Sequence, residues 1–369
     1  MFTMSNNSSY FNDSLARNTQ GVFSHSGGDT GGESMTFKVL KLSLYALIFL
    51  ISTVGNSLVC IVIARRRRMR TVTNYFILNL AIADLAITLI CIPFDIPVQE
   101  NGYKWPYGAF MCKIMYPLQT MCMFASIFTL VAVSLNRFWA IVYPLRQEMS
   151  KSQATIIIIL IWFISSGLTV PYVTVLELKN GDDCSESWPE PGYRKAYTAC
   201  IFVVQYLLPL TLIAFAYLKI GFELRKCVGT RTANSALERA KQEDTRKVVR
   251  MLIIVTLLFA MCVLPNNVMW LWLDFGNGND YEHIWEMVAV TNIILFANSA
   301  TNPVAYTICN ERFREEFRLY FTCDPKIFHT MQTTIFKSFR EESEDCSQAP
   351  KLFKNSEEVL LVTAKETVV

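Results

Sequence analysis

The chain has 369 residues, 52% of them hydrophobic and only 18% charged, with a formal net charge of +3. That balance is wrong for an ordinary water-soluble globule, and so small a net charge gives no ground for a nucleic-acid partner. His25, His283 and His329 lie far apart, no HExxH, P-loop or GxSxG pattern occurs, and the eleven cysteines form no CxxC pairs, so no enzyme chemistry and no zinc cluster is expected.

The chain opens on a polar segment with no apolar secretory core after Met1. Three N-x-S/T sequons stand at Asn6, Asn7 and Asn12, the acceptor pattern of an exposed glycosylated tail. Seven apolar blocks follow, at about 40–64, 74–98, 110–142, 153–176, 198–222, 248–273 and 284–308. Each approaches or exceeds the roughly 20 residues that cross the hydrocarbon core as a helix. The organisation read from this is a tail 1–37, a membrane bundle 38–310, a short amphipathic helix 311–323 and a polar cytoplasmic tail 324–369.

Basic residues sort by side. Arg65 to Arg68 and Arg70 follow the first block, and Arg146 and Lys151 follow the third. Lys219, Arg225, Lys226, Arg231, Arg239, Lys241, Arg246, Lys247 and Arg250 lie around the connection from fifth to sixth, making sixteen in all. The alternate loops hold five: Lys104, Lys113, Lys179, Arg194 and Lys195. Lys and Arg accumulate on the cytoplasmic side, so the N-terminus is expected outside and the C-terminus in the cytosol. The fold class is an all-α membrane protein, a bundle of seven helices.

Several polar residues interrupt the apolar blocks. The first contains Gly55-Asn56 and the second carries Asp84 near its middle. An ionised aspartate at the bilayer centre costs about 2.5–3.5 kcal/mol on insertion scales, so Asp84 is expected to share a polar cavity with Asn56, Asn298, Ser299 and Asn302. The last block contains Asn298 to Tyr306, reading NSATNPVAY. There Pro303 removes a helix hydrogen bond and kinks the segment.

Gly55-Asn56, the LAxADL around Asp84 and the NPxxY of Asn302, Pro303 and Tyr306 resemble the rhodopsin-like (class A) G-protein-coupled receptors across the whole bundle. The resemblance implies a plasma-membrane receptor that passes a signal to a heterotrimeric G protein. It implies an allosteric sodium ion, with no other cofactor, held by Asp84, Ser126, Asn298, Ser299 and Asn302. It pairs Cys112 with Cys184 in a disulfide and matches Trp105 to the family's first-outer-loop tryptophan. Arg137 becomes the switch arginine, and Leu145, after Pro144, the residue that docks on the G protein. Tyr217, Phe259, Pro265, Pro303 and Tyr306 complete the activation path. Beyond the bundle it points to palmitoylation at Cys323 and arrestin recruitment through Ser338, Ser343 and Ser347. A terminal Thr367 and Val369 suit a PDZ-domain scaffold.

Two positions depart from the pattern. Asn136 stands where the family has an aspartate beside the switch arginine, and Val263 replaces the tryptophan of FxxCWxP. Thr245 is not an acid either, although Asp244 adjoins it. Raised basal signalling is the expectation.

The ligand is read from the outer half. Gln119 stands where monoamine receptors carry an aspartate, and Phe296 where opsins carry the retinal lysine. Ten acids (Glu100, Glu177, Asp182, Asp183, Glu186, Glu190, Asp274, Asp280, Glu282 and Glu286) face the five bases above, a rim that steers cations inward. Gln119 and Asp274 resemble the pattern of receptors for neuropeptides ending in Arg-Phe-amide or Arg-Tyr-amide, in which the carboxylate pairs with the peptide's arginine. Asp95, Trp270, Trp188 and Phe296 are expected beside them. Alternatives are a small-molecule or lipid ligand, a constitutively active orphan receptor and, more remotely, a transporter, which would want internal repeats or broken helices.

Overall fold

The computed structural model describes residues 34–229 and 236–321. The sequons Asn6, Asn7 and Asn12, Cys323, the tail serines and the terminal Thr367 and Val369 lie outside the described residues. The chain divides into two compact units, Met1–Phe313 and Arg314–Val369, and the helix bundle belongs to the first.

Seven helices are long and apolar enough to cross a membrane, and the chain is a multi-pass membrane protein. They are α1 (Met35–Arg65), α2 (Val72–Glu100), α3 (Gly108–Val142), α4 (Lys151–Val175), α5 (spanning Pro191–Arg225 and ending at Gly229), α6 (Ala236–Phe275) and α7 (Ile284–Cys309). A short helix α8 (Glu311–Phe321) follows α7 at once. Every apolar block read from the sequence falls inside one of these, to within a residue.

Polar caps set several of the starts. The Ser34 hydroxyl accepts from the Phe37 amide and Thr71 from that of Asn74, and Ser150 with Gln153 forms a reciprocal capping box. Each satisfies amides that a helix N-terminus leaves orphaned. Two helices carry a wide π turn, Ile87–Cys91 in α2 and Phe202–Leu207 in α5. Such a turn inserts one residue and rotates the face presented by everything beyond it.

The axis of the bundle is α3, with 67% of its apolar window buried, against 22% for α4. It packs on α2, α4 and α5, while α7 packs on α1 and α6. Leu47, Leu50, Ile159, Phe163, Phe215 and Leu218 point outward, the apolar surface that a helix bundle presents to lipid. At one place the helices come very close: a Cβ on Gly55 would stand 2.6 Å from the Cβ and Cγ of Pro303. The first block's glycine is therefore a slot for the proline kink of α7.

Among the described residues, strand occurs as a hairpin, β1 (Leu176–Lys179) with β2 (Asp183–Glu186), antiparallel with Leu176 opposite Glu186. Its turn holds Asn180 and Gly181 at φ 52° and 86°, the left-handed pair that an Asn-Gly turn supplies. Cys184 of β2 is disulfide-bonded to Cys112 of α3, 72 residues away. The hairpin marks one end of the bundle, and the 3-10 turn Arg67–Met69 with its flanking arginines marks the opposite, arginine-rich end.

Candidate functional site

Beneath the hairpin lies a cavity of about 30 Å³, lined by Gln119 of α3, Thr198 and Gln205 of α5, Val263, Asn266 and Trp270 of α6 and Leu295 of α7. Positions 263, 266 and 270 share one face of α6 because they recur at helical spacing. Two amides in this wall reach other helices. Asn266 Nδ2 donates to Asn292 Oδ1 of α7 at 3.1 Å, and Gln205 Nε2 to the Thr120 carbonyl at 3.4 Å. Gln119 is buried with its Nε2 lacking a hydrogen-bond partner in the protein. The volume suffices for about two waters, so a ligand side chain enters only as the walls part.

The expected ligand residues do not all meet here. Gln119 and Trp270 line the cavity, but the structure places Phe296 elsewhere. Successive helical residues point about 100° apart, so Leu295 takes the cavity face and Phe296 turns to α1, its ring 6.0 Å from that of Tyr45. Asp95 also sits away from the cavity. Its Oδ2 accepts from Gln99 Nε2 at 2.7 Å, and the same Nε2 lies 2.8 Å from Tyr45 Oη.

Asp274 lies at the rim and is already engaged. Its Oδ2 accepts from the Thr198 hydroxyl at 2.5 Å, and its Oδ1 stands 2.9 Å from Arg194 Nε of α5. Glu186 of β2 is 3.8 Å from the same nitrogen and accepts from Trp188 Nε1 at 2.5 Å. Trp188 in turn packs 5.3 Å from the Tyr197 ring. Burial pushes the Glu186 carboxyl up to about 7, against the opposing pull of the Trp188 hydrogen bond and the Arg194 charge. Sequence reading had counted Arg194 among the rim bases and Glu186 among its acids without seeing that they join Asp274.

Midway along the bundle the buried polar residues do come together. Asn302 Nδ2 donates to Asp84 Oδ2 at 2.8 Å. Asn56 Nδ2 reaches the Ser299 carbonyl at 2.9 Å, tying α1 to α7. Ser52 and Thr88 hydroxyls lie 2.6 Å apart, and Thr88 donates to the Asp84 carbonyl. Asp84 Oδ1, Ser126 Oγ, Asn298 Oδ1, Ser299 Oγ and Asn302 Oδ1 are buried without a hydrogen-bond partner in the protein. One carboxylate with neutral oxygens is a donor set for a hard cation or for water. Among the described residues no group of three or more His, Cys, Asp or Glu could hold a metal ion, which sets this cluster apart from a transition-metal site.

A further junction was missed. Asn79 Nδ2 donates to Thr129 Oγ1 and Trp162 Nε1 donates to Asn79 Oδ1, both at 2.8 Å, joining α2, α3 and α4. A single amide in an apolar block, five residues before Asp84, was the available signal.

At the arginine-rich end Arg137 donates to Thr73 Oγ1 of α2 rather than to its neighbour Asn136. Two cavities, of about 680 and 590 Å³, meet at it. The first includes Asn136 and Glu148, the second Thr245, Lys247, Asn310 and Glu311. Asp244 pairs with Arg312 at 3.3 Å and Lys247 with Glu311 at 3.0 Å, exposed contacts of little energetic weight. Leu145 stands fully exposed. Tyr217 Oη lies 2.8 Å from Ser134 Oγ, whereas Tyr306 is buried with its ring 5.8 Å from Phe313 and its hydroxyl without a hydrogen-bond partner. The two tyrosines are thus not joined to one another. Phe259 is buried in α6 one turn and a half before Pro265.

Seven spanning helices, a disulfide-clamped hairpin over a small polar cavity and a larger cavity at the opposite end make up the architecture of a membrane receptor. Comparison with known proteins agrees: the 7 transmembrane receptor (rhodopsin family) profile matches residues 55–306. The chain is 35% identical over 301 residues to neuropeptide FF receptor 1 of Rattus norvegicus, covering 76% of this chain and 69% of that one. It is 34% identical to neuropeptide FF receptor 2 of the same organism, over 78% and 73% of the two chains. To the rat galanin receptor type 2 it is 37% identical over 80% and 78%. The chain belongs to the rhodopsin family of seven-transmembrane receptors, and is a receptor rather than an enzyme or transporter.

Proposed function

We propose that the protein is a plasma-membrane receptor for a basic, C-terminally amidated neuropeptide, with the hairpin end and N-terminus outside and the arginine-rich end in the cytosol. One observation carries the ligand class: Thr198 both lines the cavity and donates to Asp274, so a buried carboxylate closes one side of an amide-walled pocket. Gln119, Gln205, Asn266 and Asn267 line that pocket, which suits a peptide's amide and guanidinium groups better than a lipid. The similar rat receptors named above are receptors for neuropeptides by their names. A screen of amidated peptides supplies the agonist. Asp274→Ala is then expected to weaken it about ten- to a hundredfold, the 1.5–3 kcal/mol of a charge-assisted hydrogen bond. Unchanged potency for every basic peptide would remove Asp274 from the site.

Agonist shifts an equilibrium between bundle states by binding one of them better, and the cavities around Arg137 with the exposed Leu145 form the face offered to a heterotrimeric G protein. Asn136 gives Arg137 no counter-charge. Restoring one by Asn136→Asp, at about 1 kcal/mol, is expected to lower ligand-free signalling about fivefold; equal basal output from the two forms would refute the role of Asn136.

The Asp84 cluster fits an allosteric sodium ion held by Asp84, Ser126, Asn298, Ser299 and Asn302, which would supply positive charge against the buried carboxylate. Agonist affinity should then fall as sodium replaces potassium or choline, and Asp84→Asn should abolish the response. A sodium effect of the same size in both proteins argues against the ion. Arrestin and a PDZ scaffold, as further partners, rest on the tail sequence alone.

A further inference from the structure

We propose that Arg194 is a built-in competitor for the ligand's cationic group, occupying the carboxylate pair until a guanidinium from outside displaces it; this rests on the reading of the ligand as a basic peptide. Two carboxylates, Asp274 and Glu186, face the single guanidinium of Arg194, at 2.9 and 3.8 Å. Both carboxylates are held from elsewhere, Asp274 by Thr198 and Glu186 by Trp188, and the strand carrying Glu186 is tied to α3 by the disulfide. Arg194 is the most exposed member of the three. It sits in the first turns of α5, and its side chain is 23% exposed while those of Glu186 and Asp274 are 0% and 4% exposed.

The fit of Arg194 is also incomplete. Its Nε lies within ion-pair distance but makes no aligned hydrogen bond, and Glu186 Oε1 has no hydrogen-bond partner. A guanidinium satisfies a carboxylate best through its two-pronged fork, and a free ligand can present that fork to the carboxylate pair. Removing Arg194 leaves Asp274 and Glu186 without their cation, which raises the draw on an external one. The bridge therefore sets a threshold. Weak or singly charged ligands fail to open it, and a ligand presenting a planar, bidentate cation does.

The test uses the full-length receptor in lipid nanodiscs with L-argininamide as probe, read as the concentration giving half the maximal shift in thermal unfolding. Arg194→Gln, which keeps length and polarity but not charge, is expected to bind argininamide about tenfold more tightly than wild type. That is the factor for a bridge open about a tenth of the time. Lysinamide, a point charge without the fork, is expected to gain less, and adding Asp274→Asn to the variant should erase the gain. Arg194→Lys retains an ammonium to hold the fold and is expected to show an intermediate gain, which keeps the question open to test if Arg194→Gln does not fold. Argininamide bound no more tightly by the folded variants than by wild type makes Arg194 a structural bridge only and overturns the proposal. A tighter argininamide site with no amidated peptide agonist would sink the ligand reading and leave the competitor standing. Peptide agonists equally potent on wild type and Arg194→Gln would do the reverse.

Discussion

A receptor with Cys112 and Cys184 both changed to serine is expected to unfold at markedly lower temperature and to lose ligand binding. The bridge joins residues 72 apart, and closing a loop of that length is worth about 4 kcal/mol in the chain-entropy model. That figure is an upper bound here, since α3 and α4 stay inserted in the bilayer and the chain between them never becomes a free coil. The loss falls on the hairpin, and with it on Glu186 and Trp188, whose positions depend on β2. The first loop offers one further tie: the Trp105 amide donates to the Asp182 carbonyl of the hairpin turn at 2.6 Å, and the Trp105 ring is buried 5.3 Å from that of Tyr116 on α3. Thermal unfolding of the purified receptor, with agonist binding measured on the same sample, decides the matter. Unaltered values for both would mean that packing alone fixes the hairpin.

The second large effect is expected at Gly55. A Cβ there meets the Pro303 ring at 2.6 Å, and a proline ring in a kinked helix has no rotamer into which to retreat. With Gly55→Val, α1 and α7 must separate, which adds an overpacking cost of about 1–3 kcal/mol. Separation also strains the bond from Asn56 to the Ser299 carbonyl, the tie between α1 and α7, while Asn56 Nδ2 keeps Ser52 as an acceptor within α1. Gly167 on α4 is the control, because nothing lies within 4 Å of its would-be Cβ. Gly167→Val should reach the cell surface at nearly wild-type amounts while Gly55→Val falls far short. Equal surface amounts would show that the seam relaxes at little cost.

The helices were legible because the bilayer demands long apolar runs and alternate loops collect the arginines. Both signals are one-dimensional and survive without knowing any contact. The clustering of Asp84, Asn56 and Asn302 was legible for a related reason, since polar groups in lipid have few places to go. The hairpin was signalled by Asn180-Gly181 but overlooked among helices, as four-residue strands are too short to show a period. The π turns Ile87–Cys91 and Phe202–Leu207 left no compositional trace, because every residue in them also suits an ordinary helix. The ligand end was read least well. Choosing Phe296 over Leu295 requires the rotation of α7 to within about half a residue, and rotation is set by partners such as Tyr45 on another helix. Asp274 was identified as a carboxylate of interest, but its pairing with Arg194 depends on how the start of α5 approaches the end of α6.

The polar lining of α7 has a consequence for how the receptor is made. Carrying Asn292, Asn298, Ser299 and Asn302 on its buried side, α7 has the lowest mean hydropathy of the seven spans, 1.2 against 1.8 to 2.5 for the rest. A segment so marginal gains little from lipid alone, since amides at the bilayer centre are unfavourable without partners. Synthesis from the N-terminus delivers the six more apolar helices first, with Asp84, Asn56 and Asn266 already in place. The last helix thus leaves the translocon into a half-built protein rather than into bare lipid, and its buried amides find partners there that hold it in the membrane.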